Sequence, residues 1–222
     1  MAAEHTRVWQ DYDSALWHTC TVLAAAGQDR LHEVPGNAVP FAMQLGGAEE
    51  RIFGSGQFVL SSWEAPGDGT YHRTGGFFMA TGGAALALTG VVAGVTALRN
   101  SARRREAAAM AQPRWLPVDQ GLIHVGTHGF YLQTINGFHQ WGWNCVHSTI
   151  ITGPGSIWVQ GQSVQGPISW RINSHWAELA FVLWATTCHP HHPQLIDGSW
   201  LPPHWITWAT HHGYPPPQLD PH

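Results

Sequence analysis

Residues 50–64 read ERIFGSGQFVLSSWE, and residues 121–134 read GLIHVGTHGFYLQT. Whether these two stretches lie in one sheet decides the fold. In the first, Phe58 and Leu60 share one side of an extended chain, and Val59 and Trp63 take the other. That period of two marks a strand with one buried face. Gly54 and Gly56 interrupt it and predict a bulge or a strong bend. Pro66-Gly67-Asp68-Gly69 then makes a turn.

The β pattern resumes at Trp115 and runs to Ile172. Strands are expected at Leu122–Thr127, Phe130–Thr134, Phe138–Val146, Ser156–Gln160 and Ile168–Ile172. His128-Gly129, Asn136-Gly137, Gly153-Pro154-Gly155 and Gly166-Pro167 punctuate them. Asn-Gly between apolar runs is a strong hairpin signal, because both central positions of the tight turn need positive φ.

Two helices flank this region. Residues 5–26 place Val8, Tyr12, Ala15, Leu16, Thr19 and Leu23 at helical spacing, with Gly27 as a stop. Residues 173–188, NSHWAELAFVLWATTC, begin with two capping candidates, Asn173 and Ser174. Trp176, Leu179, Ala180, Leu183 and Trp184 form one face, widened by Phe181 and Val182. A helix this apolar has to be buried against the sheet. The last 35 residues repeat Pro, His and Trp without periodicity. They are expected to be irregular, ordered near Trp200 to Trp208 and loose beyond Pro215.

Composition narrows the function. Charged residues make up 11% of the 222, against a usual quarter or so. The ten basic residues are all arginine, a coding bias expected of a high-GC genome. The net charge of −4 supplies no basic field for nucleic acid. Cys20, Cys145 and Cys188 are odd in number and far apart, which argues for a reducing, cytoplasmic setting rather than a disulfide framework. The N-terminus has no apolar signal core.

Catalytic motifs are missing. Gly54-Ser55-Gly56 lacks the spacing of a nucleophile elbow. The stretch GSGQFV breaks the dinucleotide pattern at its last position, and a chain without lysine has no Walker loop. Cys145-Val146-His147 would put a thiol beside an imidazole if all three lay on a strand. Cys188, His189, His191 and His192 cluster four candidate metal ligands, yet no second pair stands at finger spacing. Core packing and solvation are the expected roles of these histidines. No catalytic, cofactor or metal residue is assigned, and whether His189, His191 and His192 bind metal stays open. Most tryptophans are expected in the core, with Trp200, Trp205 and Trp208 as an exposed patch.

The order of elements from about 115 to 187 resembles the PH-like and GRAM-like modules of uncharacterised actinobacterial proteins. The resemblance rests on a tryptophan, the Gly-Leu-Ile-His-Val-Gly-Thr strand, the hairpin into Phe-Tyr-Leu, aromatic strands and a closing apolar helix. It implies an α+β fold: a bent antiparallel partial barrel, started by residues 49–60 and plugged by the C-terminal helix. It also implies a non-enzymatic binding or adaptor module. The sequence departs from the lipid-binding members of that group. Residues 64–76 offer only His72 and Arg73, whereas bidentate phosphate recognition needs several Arg or Lys donors.

Residues 75–98 carry no charge and are followed by Arg99, Arg103, Arg104 and Arg105. As a helix they would reach roughly 36 Å, enough for a bilayer core of about 30 Å. A single span would, however, put residues 50–64 and 115–172 on opposite sides of a membrane, where they could not share a sheet. A Gly/Ala-rich helical insertion is therefore expected. The domain plan is residues 1–48 as helix and connector, 49–187 as the PH-like domain with an insertion at 75–111, and 188–222 as a tail. A protein or membrane surface is the expected partner, with homo-oligomer formation and the small-molecule ligand left open. The alternatives are a single-span membrane protein with a small β domain, a structural or assembly protein, and a metal-dependent enzyme built on the C-terminal histidines.

Overall fold

The computed structural model describes residues 7–40, 45–64, 112–164 and 166–218. The chain divides into two compact units, residues 1–62 with 117–222 and residues 63–116. In the second, Trp63 meets Trp115 edge to face at 5.3 Å between ring centroids. The basic and Gly/Ala-rich helices expected within 75–111 lie outside the described residues.

The fold is α+β. Its sheet is antiparallel in the order β5-β4-β3-β2-β8-β7-β6, bent and unclosed, with a short β1 (Asn37–Ala38) added beside β2. The strands are β2 (Arg51–Glu64), β3 (Arg114–Gly126), β4 (Gly129–Thr134), β5 (Gly137–Gly142), β6 (Val146–Gly153), β7 (Ser156–Ser163) and β8 (Gly166–Asn173). Two meanders, β2 to β5 and β6 to β8, are joined where β2 pairs with β8, Val59 opposite Asn173 and Leu60 opposite Ile172. The early strand and the later ones thus belong to one sheet. Tight turns join β3 to β4, β4 to β5, β6 to β7 and β7 to β8, with Gly126 opposite Gly129, Thr134 opposite Gly137, Gly153 opposite Ser156 and Ser163 opposite Gly166.

The alternation of β2 changes phase at its glycines. Phe53 joins the main core, and so do Phe58 and Leu60, an odd number of residues later. Between them, Gly54 and Gly56 lie under the Trp176 indole, whose Nε1–H donates to the Ser55 carbonyl at 2.8 Å. A Cβ at Gly54 would stand 2.4 Å from that ring.

Helix α1 (Asp11–Gly27) and helix α2 (Ala177–Cys188) pack together over this face. Every residue of α2 from Ala177 to Ala185 is buried. Trp184 Nε1–H donates to the Val146 carbonyl of β6 at 3.1 Å, fastening α2 to the sheet. On the opposite face, Val39, Ile52 and Tyr131 make a small second core with Leu45 and Phe138.

Four local expectations are corrected. Helix α1 starts at Asp11, because the Asp13 carboxylate folds back to accept Gln10 N–H at 3.0 Å; Val8 lies outside it and is exposed. The apolar run 138–146 is broken by a 3₁₀ turn at Trp143–Cys145, so β5 and β6 are separate strands. Cys145 therefore leaves the alternation that would have set it beside His147. The last stretch is not irregular: it forms α3 (Pro193–Ile196) and α4 (Trp205–His211). Trp200, at 1% exposure, and Trp205 lie in the main core instead of on a surface patch.

Candidate functional site

An open groove of about 820 Å³ lies where β2 begins. Residues 31–36 and Ala38 form one wall, Glu49 to Arg51 and Phe53 another, and Thr127 closes an end. Backbone bonds fix these walls. A 3₁₀ turn at Leu31–Glu33 brings the chain back, and Asn37 then pairs with Ile52. The Arg51 guanidinium donates to the His32 carbonyl at 2.7 Å, tying the wall to the strand. Thr127 N–H and its hydroxyl both donate to the Arg51 carbonyl, at 3.0 and 3.2 Å.

Glu50 is the least ordinary residue of the lining. It is 2% exposed, and burying a carboxylate is costly unless hydrogen bonds replace its water. One oxygen, Oε2, accepts from Leu45 N–H at 2.8 Å, Gly46 N–H at 3.0 Å and the Tyr131 hydroxyl at 2.8 Å. The other, Oε1, has no hydrogen-bond partner among the described residues. Burial, with the carboxylate beside it adding to the effect, pushes the Tyr131 hydroxyl up to about 12, so it stays a donor at physiological pH.

The lining holds three carboxylates, Glu33, Glu49 and Glu50, and one guanidinium, Arg51. Arg51 spends a donor on a carbonyl, and Glu33 makes a surface pair with Arg30 at 3.3 Å. The groove lining therefore carries more negative than positive charge. A phosphate would be repelled there; a cation would be held.

Ser55 Oγ lies 2.8 Å from His124 Nδ1 on the outer face of β2 and β3. Burial lowers the pKa of His124, opposed by a hydrogen bond with the Gln133 side chain, and no carboxylate is among the causes acting on it. A Ser-His-acid device needs such a carboxylate to orient and stabilise the imidazolium. At the C-terminal histidines, the His192 ring accepts Gln194 N–H at the start of α3 and packs edge-on against Phe181. His189 lies against Trp184 at 4.6 Å. Among the described residues, no three His, Cys, Asp or Glu side chains converge to hold a metal.

Sequence reasoning did not find the groove. Its residues come from three separated stretches, and Glu50 sits beside an apolar strand like any surface glutamate. No family model, curated protein or solved structure matches the chain.

Proposed function

We propose that this chain is a non-enzymatic PH-like binding or adaptor module, and that the acidic groove recognises a cationic group such as a guanidinium or a primary ammonium. The observation that carries this reading is the excess of carboxylates in the lining, Glu33, Glu49 and Glu50 against the single guanidinium of Arg51. A cation seated among these carboxylates gains a charge-assisted bond, worth more than a neutral one.

The PH-like part is supported by topology. A four-strand and a three-strand meander meet first strand to last, and the helix after the last strand covers the core they make. The acidic lining agrees with the scarcity of basic residues at 64–76 and speaks against phosphoinositide recognition. A single membrane span within 75–98 would have to separate β2 from β3, which are neighbours in the sheet. Among the described residues no helix is long and apolar enough to cross a membrane.

The test is a calorimetric titration of the whole chain with arginine amide and with inositol hexakisphosphate. The arginine amide is expected to bind, and Glu33→Gln/Glu49→Gln is expected to weaken it at least threefold. Raising ionic strength from about 0.1 to 1 M should weaken it too, as the screening length shrinks from about 10 to 3 Å. Binding of the polyphosphate with no binding of the cation would remove the proposal.

A further inference from the structure

The C-terminal segment Tyr214-Pro215-Pro216-Pro217 does not trail into solvent. It runs back over α1. The Trp17 indole Nε1–H donates to the Pro215 carbonyl at 3.3 Å. The Tyr214 ring lies 4.1 Å from that of Trp9. Trp9 in turn stacks on Trp208 of α4 at 5.6 Å and 10°, and Arg7 sits over the Trp208 ring at 4.7 Å. Pro216 and Pro217 are half buried.

This is the chemistry by which aromatic surfaces take extended proline segments. Proline fixes its own φ near −65° and holds the residue before it extended, so Tyr214 to Pro216 are confined to extended geometry before they touch anything. Such a segment loses little entropy on docking. Its amides lack N–H groups but keep strong carbonyl acceptors, which suit an indole donor. Trp9, just ahead of α1, supplies a ring face, and Trp17 on α1 supplies a donor.

The segment is also weakly tied. Its one backbone–backbone bond among the described residues is Tyr214 N–H to the Ala209 carbonyl at 2.9 Å, and the three prolines that follow have no N–H to donate. Tyr214 remains 49% exposed and Trp17 36%. A buried structural segment would show neither.

We propose that Trp17 of α1 and Trp9 just ahead of that helix form a docking surface for proline-rich peptides, occupied in cis by the chain's own Tyr214–Pro217 and opened when that segment is displaced. The partner is a protein segment with an aromatic residue ahead of consecutive prolines. The surface is separate from the acidic groove and stands or falls independently of it.

The probe is a synthetic peptide of residues 212–222, added to the full chain and to a full-length Tyr214→Ala/Pro215→Gly variant. Binding is read from the indole N–H signals of Trp9 and Trp17. Because a tethered segment competes at a millimolar effective concentration, the variant should bind the peptide at least tenfold more tightly than the wild type. Adding Trp17→Phe, which keeps a ring but removes the donor, should weaken binding about fivefold, the size of one net hydrogen bond. A peptide with the three prolines replaced by alanine should bind at least tenfold more weakly. Equal affinity for both chains, no binding to either, or indifference to the prolines would overturn the proposal. So would a dimer formed by exchange of tails, since the surface would then serve self-association.

Discussion

At the scale of single residues, the most constrained contact is between two glycines and one tryptophan. The Trp176 ring occupies the space that side chains at Gly54 and Gly56 would need. Gly54→Ala has to push back the indole or the Leu179 side chain, whose Cδ2 lies 2.8 Å from the new methyl. Overpacking of this kind costs about 1–3 kcal/mol, a fall in Tm of roughly 2–12 °C for a chain of this length. Differential scanning calorimetry reads it directly, and an unchanged Tm would mean that the indole is free to move. The sequence signalled a bend at these glycines but not its cause. Trp176 is more than a hundred residues away, and its approach depends on where α2 finally lies. The same distance effect hid Glu50, which is buried only once residues 45 and 46 and Tyr131 have folded around it.

At the scale of elements, α1, α2 and the β6–β7 turn meet at Glu178. Its Oε1 accepts from the Tyr12 hydroxyl at 2.5 Å and from Gly155 N–H at 2.7 Å, and Oε2 has no partner among the described residues. Burial pushes this carboxyl from 4.5 up to about 7, against the pull of its hydrogen bonds. The folded state therefore keeps a proton that the unfolded chain releases above pH 4.5. Stability from this group is complete below that pH and declines as pH rises toward 7, by a total on the order of 3 kcal/mol. Glu178→Gln, which copies the protonated acid, should be more stable than the wild type at pH 8 and equal to it near pH 4. Urea midpoints across that range decide it; parallel pH profiles would show that the carboxyl is not the source. Element identity was legible in β4 and α2, and in β2 despite the shift of phase at its glycines. It failed where a short irregularity hid inside an apolar run, as at Trp143–Cys145, and where helices of four and seven residues gave periodicity too little length.

At the scale of the whole molecule, the alternation at residues 50–64 and the hairpin signals at 115–172 were enough to give one bent antiparallel sheet with a helix over it. The groove was not legible, since three distant segments contribute a few residues each and none carries a motif. The aromatic surface made by Trp9 and Trp17 was not legible either, because neither falls on the helical face that the spacing in residues 5–26 picks out. One consequence of the pairing between β2 and β8 concerns synthesis. Val59 meets its partner on β8 only after residue 173 exists, so a growing chain on the ribosome holds a first meander with an unpaired edge for more than a hundred residues of synthesis after β2. Closing so long a loop is slow. A chain stopped before Gly166 is expected to show no cooperative unfolding by tryptophan fluorescence, and a sharp transition from such a fragment would mean that the first meander is self-sufficient. Until the last strand arrives, that exposed edge needs shielding from other nascent chains.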